Sequence, residues 1–167
     1  MKSKTVVLTS DKGYFEVSLK VNGSQVSMRV RGGEFLLDAL RRYGWKSVKK
    51  GCDTGDCGSC TVEMDGRPVL ACLIPAFTAH GSEIVTIEGV GSVHAPHPLQ
   101  EAFVEAGAVQ CGYCIPGMIL SARALLRERP DPSEEEVRKY LDGNLCRCTG
   151  YVKQVRAVKS AAKKMRG

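Results

Sequence analysis

The stretch GCDTGDCGSC, residues 51–60, decides how the first half of the chain folds. It places Cys52, Cys57 and Cys60 at the spacing C-x4-C-x2-C, and Cys72 follows after eleven further residues. This spacing is typical of the four thiolates that hold a plant-type [2Fe-2S] cluster. The sequence therefore predicts an iron-sulfur site that this loop forms and that Cys72 completes from another element.

The three glycines of the loop suit an anionic cluster. Two ferric ions, two sulfides and four thiolates together carry roughly two negative charges, so the cluster needs N–H donors around it. We expect Gly51, Gly55 and Gly58 to take the backbone through positive φ, because glycine does so without steric cost. Backbone N–H groups can then approach the sulfurs closely.

A second set of four cysteines lies in the second half of the chain. Cys111 and Cys114 precede a predicted helix, and Cys146 and Cys148 lie between the last two predicted helices. The two pairs meet only if the helices pack as an antiparallel bundle with these loops at one end. A helix that begins just after Cys114 also directs its positive N-terminal dipole toward the thiolates. The sequence predicts a second four-thiolate site here.

The first half alternates in the manner of β-strands and contains one helix. Asn22-Gly23 and Asp65-Gly66 each separate two alternating segments, which is a strong signal for a β-hairpin. The predicted strands cover residues 5–9, 14–21, 24–31 and 83–87, with a second hairpin over residues 61–72. Five residues share the apolar face of the predicted helix: Phe35, Leu36, Ala39, Leu40 and Tyr43. The pattern predicts a small mixed sheet with one helix packed across it.

Residues 88–98 are rich in glycine, proline and small polar residues, and the apolar period changes from two to about 3.6 beyond them. We therefore predict two domains, residues 1–89 and 90–167. The second domain contains four predicted helices, the third of which begins with a capping box formed by Ser133 and Glu136. The residues predicted to face inward are Leu99, Phe103, Val104, Ile119, Ala122, Leu126, Val137, Tyr140, Leu141, Val152, Val155, Val158 and Ala162.

Composition and charge argue against several classes of function. The 167-residue chain has a net charge of +6, but its Lys and Arg residues are scattered and no aromatic stripe interleaves with them, which argues against nucleic-acid binding. No apolar run is long enough for a membrane span, and the start has no signal-peptide pattern. We predict a cytoplasmic location, a reducing compartment in which eight cysteines indicate metal or redox chemistry and not disulfides.

Other uses of these cysteines stay open on spacing alone. A single C-x-x-C pair, such as that at Cys57 or Cys111, is also found in thioredoxin-like proteins. Two structural zinc sites would likewise use all eight thiolates, although the spacing of the first set is atypical of zinc ribbons. A disulfide framework would need an oxidising compartment. The two sets taken together favour iron-sulfur clusters.

Three motifs, in this order, resemble one known family: KxGCDTGDCGSC at residues 49–60, HPLQEAFVEAGAVQCGYCIPGM at residues 97–118 and GNLCRCTGY at residues 143–151. The family is that of the small iron-sulfur subunits of the molybdenum hydroxylases, which include xanthine dehydrogenase, aldehyde oxidoreductase and carbon monoxide dehydrogenase. The resemblance implies an α+β fold, with an N-terminal plant-ferredoxin-like β-grasp domain followed by an all-α four-helix [2Fe-2S] domain.

The resemblance also implies roles for individual residues. The first cysteine set would hold the cluster farther from molybdenum, and the second set the nearer one. Gln110 matches the family glutamine that contacts the pyranopterin of the molybdenum cofactor, and Cys148 matches the ligand closest to that pterin. Ile115 departs from the small polar residue that the family often has beside Cys114, so hydrogen bonding there is expected to differ.

These observations lead to one functional prediction. The chain is an electron-transfer subunit of a molybdenum hydroxylase, with two [2Fe-2S] clusters and no catalytic residues of its own. A large subunit would bind the molybdenum-pterin cofactor and a medium subunit would usually bind FAD, so we expect a hetero-oligomer with no nucleic acid and no membrane. The alternatives are a free-standing two-cluster ferredoxin and a zinc-binding interaction module.

Overall fold

The computed structural model describes residues 13–167, so the strand predicted at residues 5–9 lies outside the described residues. The strands come first along the chain and most of the helices follow. The strands are β1 Tyr14–Val21, β2 Ser24–Arg31, β3 Thr61–Met64, β4 Arg67–Leu70 and β5 Glu83–Val85. The α-helices are α1 Leu36–Arg42, α2 Pro98–Glu105, α3 Ile115–Glu128, α4 Glu134–Leu141 and α5 Val152–Lys164.

Within residues 13–167, the strands form one mixed sheet in the order β2-β1-β5-β3-β4, in which the β1–β5 pairing is parallel and the others are antiparallel. Both predicted hairpins are confirmed. Asn22 and Gly23 have φ of 52° and 82°, and Asp65 and Gly66 have φ of 51° and 81°, as a two-residue type I′ turn requires. The strand predicted over residues 83–87 ends two residues early, because the chain enters a 3₁₀ turn at Ile87.

Helix α1 contributes its buried side chains to the core that it shares with the sheet. Leu36, Ala39 and Leu40 are buried as predicted, and Leu37 joins them. The prediction that Phe35 and Tyr43 share this face is wrong in part, because these residues flank the helix ends and are 42% and 37% exposed. Cap residues do not have helical backbone angles, so their side chains do not continue the apolar face of the helix.

Helices α2 to α5 form a second core. The capping box of α4 is confirmed: the Ser133 hydroxyl accepts from the Glu136 N–H, and the Glu136 carboxylate accepts from the Ser133 N–H. Most residues predicted to face inward are buried, but Val104 and Val152 are 71% and 45% exposed, so those two predictions are wrong. Both lie within a turn of a helix end. None of the helices in residues 13–167 is long and apolar enough to cross a membrane.

A buried ion cluster joins the sheet to the helical half. Glu63 on β3 is 1% exposed, and its Oε2 accepts from Arg123 Nη1 at 2.6 Å and from Arg127 Nη1 at 2.7 Å. The two arginines lie one turn apart on α3, and Arg127 also donates to the Gly66 carbonyl oxygen at 2.9 Å. Because one buried carboxylate serves both cations, it fixes the position of α3 against the β3–β4 hairpin.

We expect Glu63→Gln to lower the free energy of unfolding by about 2 kcal/mol. Breaking a buried ion pair costs more, about 3–5 kcal/mol, but the side chains of Arg123 and Arg127 are 26% and 39% exposed and can regain water. Denaturation of the full chain in urea measures the change. The matched control is Glu83→Gln, an exposed residue of the same sheet, for which we expect less than about 0.5 kcal/mol. Equal losses of unfolding free energy in the two variants would contradict the role of Glu63 in fixing α3 against the hairpin.

Candidate metal centres

The register of the β3–β4 hairpin determines which cysteines meet at the first site. Thr61 pairs with Leu70, so Cys60 and Cys72 follow the two ends of the same ladder. The Ala71 N–H donates to the Cys60 carbonyl oxygen at 3.3 Å, and hydrogen bonds link Cys60 to the thiol and backbone N–H of Cys72. The hairpin therefore returns Cys72 to the cysteine loop, as the sequence predicts.

The glycines of the loop serve two different purposes. Gly58 has φ of 69°, which agrees with the prediction of positive φ. Gly55 agrees as well, with φ of 86°. Gly51 does not have positive φ; instead, a Cβ at this position would lie 2.6 Å from Cys57 Sγ, so the prediction for Gly51 is wrong in its reason. Glycine is required at position 51 because a sulfur occupies the space of a side chain.

The thiols of the first site differ in their tendency to ionise. The Cys57 N–H donates to Cys52 Sγ at 3.4 Å. Hydrogen bonds from the Thr54 hydroxyl and N–H, together with that from Cys57, lower the pKa of Cys52 to about 6. Burial raises the pKa of Cys60 to about 12. A buried thiol of this kind becomes a thiolate at neutral pH only when a cation takes the place of its proton.

The second site forms where α3 begins and where the chain turns between α4 and α5. Cys111 and Cys148 are exposed, and their Sγ atoms lie 3.6 Å apart. Cys114 is the N-cap residue of α3 and is hydrogen-bonded to Cys146, and burial raises the pKa of Cys114 to about 12. The helices thus bring the two predicted pairs together at one end of the bundle.

In both sites the thiols are arranged as pairs. The pairs are Cys52 with Cys57, Cys60 with Cys72, Cys111 with Cys148, and Cys114 with Cys146. Within residues 13–167, no group of three or more His, Cys, Asp or Glu side chains is placed to hold a single ion. The four thiols of each site are the residues that would hold a [2Fe-2S] cluster, which takes thiolates as its usual ligands.

Cys146 has the richest set of polar neighbours among these ligand candidates. Its Sγ lies 3.0 Å from Thr149 Oγ1, and its N–H donates to the Tyr151 hydroxyl at 2.8 Å. Burial raises the pKa of Cys146, but hydrogen bonds from Thr149 and from the backbone outweigh it, so the pKa is below its ordinary value. The cysteine spacing gives no indication of this role of Thr149.

The two sites meet through direct hydrogen bonds between their loops. The Leu145 N–H donates to the Cys57 carbonyl oxygen at 2.9 Å, and Asn144 Nδ2 donates to the Gly58 carbonyl oxygen at 3.0 Å. One backbone hydrogen bond therefore connects the residue before Cys146 to a cysteine of the first site. This connection was not predicted from the sequence. Backbone groups supply three of the four hydrogen-bonding atoms, and every residue type has such groups.

Gln110, the residue expected to contact a pterin, is exposed and directly precedes the exposed Cys111. Four apolar side chains within four residues of a cysteine of the second site are 41–52% exposed: Val109, Tyr113, Leu145 and Val152. The Tyr113 hydroxyl donates to the Lys50 carbonyl oxygen at 2.7 Å, which fixes this rim to the first cysteine loop. We call these four residues and Gln110 the apolar rim.

Comparison with known proteins gives matches in both halves. Residues 19–77 match the family described as a 2Fe-2S iron-sulfur cluster binding domain, and residues 86–159 match the family described as a [2Fe-2S] binding domain. The nicotinate dehydrogenase small FeS subunit of Eubacterium barkeri is 50% identical over 149 residues, which cover 89% of this chain and 95% of that protein.

Solved structures give the same result. A chain of quinoline 2-oxidoreductase from Pseudomonas putida 86 superposes with a TM-score of 0.89 at 40% identity and covers 93% of this chain and 98% of its own. Aldehyde oxidoreductase from Desulfovibrio desulfuricans ATCC 27774 superposes with a TM-score of 0.88 at 45% identity, over 91% of this chain but only 17% of its own length. The same fold thus occurs both as a separate chain and within a longer one.

Proposed function

Because this chain belongs to the family of small iron-sulfur subunits of the molybdenum hydroxylases, we propose that its two cysteine sites hold one [2Fe-2S] cluster each. The chain is the electron-transfer subunit of such an oxidoreductase and performs no bond chemistry of its own. The observation that carries the proposal is the arrangement of eight cysteines as four pairs, two at each site.

The ligands of the first cluster would be Cys52, Cys57, Cys60 and Cys72, and those of the second Cys111, Cys114, Cys146 and Cys148. The chemistry of the donors supports this assignment, since thiolates are the usual ligands of iron-sulfur clusters. Zinc uses four thiolates as well, but the spacing of the first cysteine set is atypical of zinc ribbons. When bound, the clusters supply two one-electron carriers in series between the oxidised substrate and the acceptor.

The order of the strands and helices supports the two proposed domains. Residues 1–89 would form the plant-ferredoxin-like β-grasp domain, in which α1 packs on the five-stranded sheet. Residues 90–167 would form the four-helix domain. Two separate apolar cores agree with a boundary between β5 and α2, while the Glu63 cluster and the Leu145 hydrogen bond hold the halves together.

The exposed end of the second site is the surface that we assign to the molybdenum-binding partner. Gln110 and Cys148 lie exposed there, and the apolar rim offers side chains that a partner can cover. The match to one segment of a much longer aldehyde oxidoreductase supports a large partner subunit. We further propose a medium subunit that binds FAD beside the first site, and a cytoplasmic hetero-oligomer.

Anaerobic purification with metal analysis tests this function. We expect about four iron atoms per chain and no stoichiometric zinc, together with a co-purifying chain that contains molybdenum. A brown monomer without a molybdenum partner would indicate a free-standing ferredoxin. A colourless protein with about two zinc ions per chain would overturn the iron-sulfur assignment.

A further inference from the structure

Gln154 is an unusual residue for the position that it occupies. It lies on the inner face of α5, is 0% exposed, and is flanked by the buried side chains of Val155 and Val158. Its Oε1 has no hydrogen-bond partner among the described residues. Buried amides without full hydrogen bonding oppose folding, so a polar residue is not expected at this position in the core. Residues that break such a packing rule are expected at functional sites.

The amide nitrogen of Gln154 points at the second cysteine site. Nε2 lies 3.4 Å from the Ala108 carbonyl oxygen and 3.8 Å from Cys146 Sγ, and it also contacts Thr149 Oγ1. The end of the amide that faces the Ala108 carbonyl must be the nitrogen, because a carbonyl oxygen only accepts. The same geometry places an N–H donor at the sulfur of Cys146.

We propose that Gln154 tunes the reduction potential of the cluster in the helical half by donating a hydrogen bond to Cys146. The inference rests on the proposed function, since it requires a cluster on that sulfur. An N–H dipole directed at a ligand sulfur stabilises the additional negative charge of the reduced cluster, and such hydrogen bonds are among the determinants of cluster potential. Gln154 acts through Cys146 and is therefore a positioning residue.

The geometry at Gln154 also separates this role from a structural one. The fully buried amide has one unpartnered oxygen, and its removal relieves that polar defect. The same removal takes the Nε2 donor from the buried Ala108 carbonyl oxygen, so the two effects on stability oppose each other. A Gln154 variant is therefore expected to change the potential of the cluster with little change in stability, whereas loss of a residue needed mainly for packing would lower stability.

The variant that tests the inference is Gln154→Met, which keeps the length of the side chain and removes the N–H donor. In the purified complex, redox titration followed by EPR should show that one cluster is harder to reduce. We expect its reduction equilibrium to change by threefold to tenfold, which is about 28–59 mV for a one-electron couple. The other cluster should keep its potential, and the midpoint of thermal unfolding should stay nearly the same.

Val158→Ala is the matched control, because Val158 is 0% exposed on the same helix face and no hydrogen bond joins its side chain to the described cysteines. It should lower the unfolding temperature and leave both potentials unchanged. Unchanged potentials in Gln154→Met, or equal shifts of both clusters, would overturn the inference while the proposed function stands. Wild-type protein without two EPR signals would instead overturn the proposed function.

Discussion

Replacement of Cys148 by serine is expected to abolish substrate-dependent electron flow in the assembled complex, with turnover reduced at least about 100-fold. Changes to residues that only support metal ligands already reduce metal affinity or activity by about 10–100-fold, and the loss of a ligand is more severe. Cys148 forms the exposed thiol pair of the second site with Cys111. Without Cys148, the second site would lack one of the four thiolates that would hold its cluster.

The first site should survive this change. Cys60 and Cys72 of that site flank the β3–β4 hairpin, whereas the cysteines that interact with Cys148 are Cys111 and Cys146 of the second site. We expect the EPR signal of the first cluster to persist while that of the second is lost. Cys148→Ala should give the same result, so that a serine oxygen is excluded as a replacement ligand. Turnover within twofold of wild type would contradict the ligand assignment.

A control variant distinguishes the loss of a cluster ligand from a general failure of the complex to assemble. Arg138 lies on the exposed face of α4, where it forms a long ion pair with Glu134, at 3.8 Å. Arg138→Ala is expected to leave both EPR signals and turnover unchanged. Loss of activity in this control would show that the helical half tolerates no substitution, and the Cys148 result could then not be assigned to ligation.

The second large effect is expected for Gly58→Ala, which should lower the free energy of unfolding by more than about 4 kcal/mol. A Cβ on Gly58 would lie 2.1 Å from the Gly143 carbonyl oxygen and 2.6 Å from Asn144 Nδ2. The clash is with backbone as well as side chain, so no rotamer change relieves it. The loop that carries Cys57 would have to separate from the loop that carries Cys146.

Gly66→Ala separates this clash from simple backbone strain. Gly66 has φ of 81°, close to the 69° of Gly58, but a Cβ at Gly66 would meet no other described atom within 4 Å. We expect a cost of about 1–2 kcal/mol, the usual penalty for a left-handed residue. Denaturation curves of the full chain give both values. Similar losses for the two variants would show that the contact between the loops is not tight.

Gly58→Ala should also change function. The hydrogen bond from Leu145 to the Cys57 carbonyl oxygen is 2.9 Å long and lies beside the clash. If the loops separate, the two cysteine sites move apart, and electron exchange between them slows steeply. Freeze-quench EPR during turnover should then show the second cluster reduced while the first stays oxidised. Equal reduction of both clusters would contradict this role of the loop contact.

Local spacing explains why much of the fold was predictable. The two hairpins depend on Asn22-Gly23 and Asp65-Gly66, whose positive φ values are determined within each turn. The cysteine spacing likewise indicates which residues belong to one site. Val104 and Val152 were mispredicted because an apolar residue near a helix end follows the helical period but loses its neighbours there.

The remaining features depend on tertiary contacts. No spacing rule indicates that the Leu145 N–H reaches Cys57 or that Gly51 is needed to make room for a sulfur. Glu63 could not be paired with Arg123 before α3 was placed against the sheet. Gln154 did carry a signal, because it lies four residues before Val158 in the apolar stripe of α5, where a polar residue is unexpected.

EPR of the dithionite-reduced protein tests the central claim most directly. The required signals arise only when each cluster, as a pair of irons, accepts a single electron. We predict two distinct signals that integrate to about two spins per chain, one for each four-cysteine site. A single signal of one spin, or no signal from protein with all eight cysteines intact, would contradict the account.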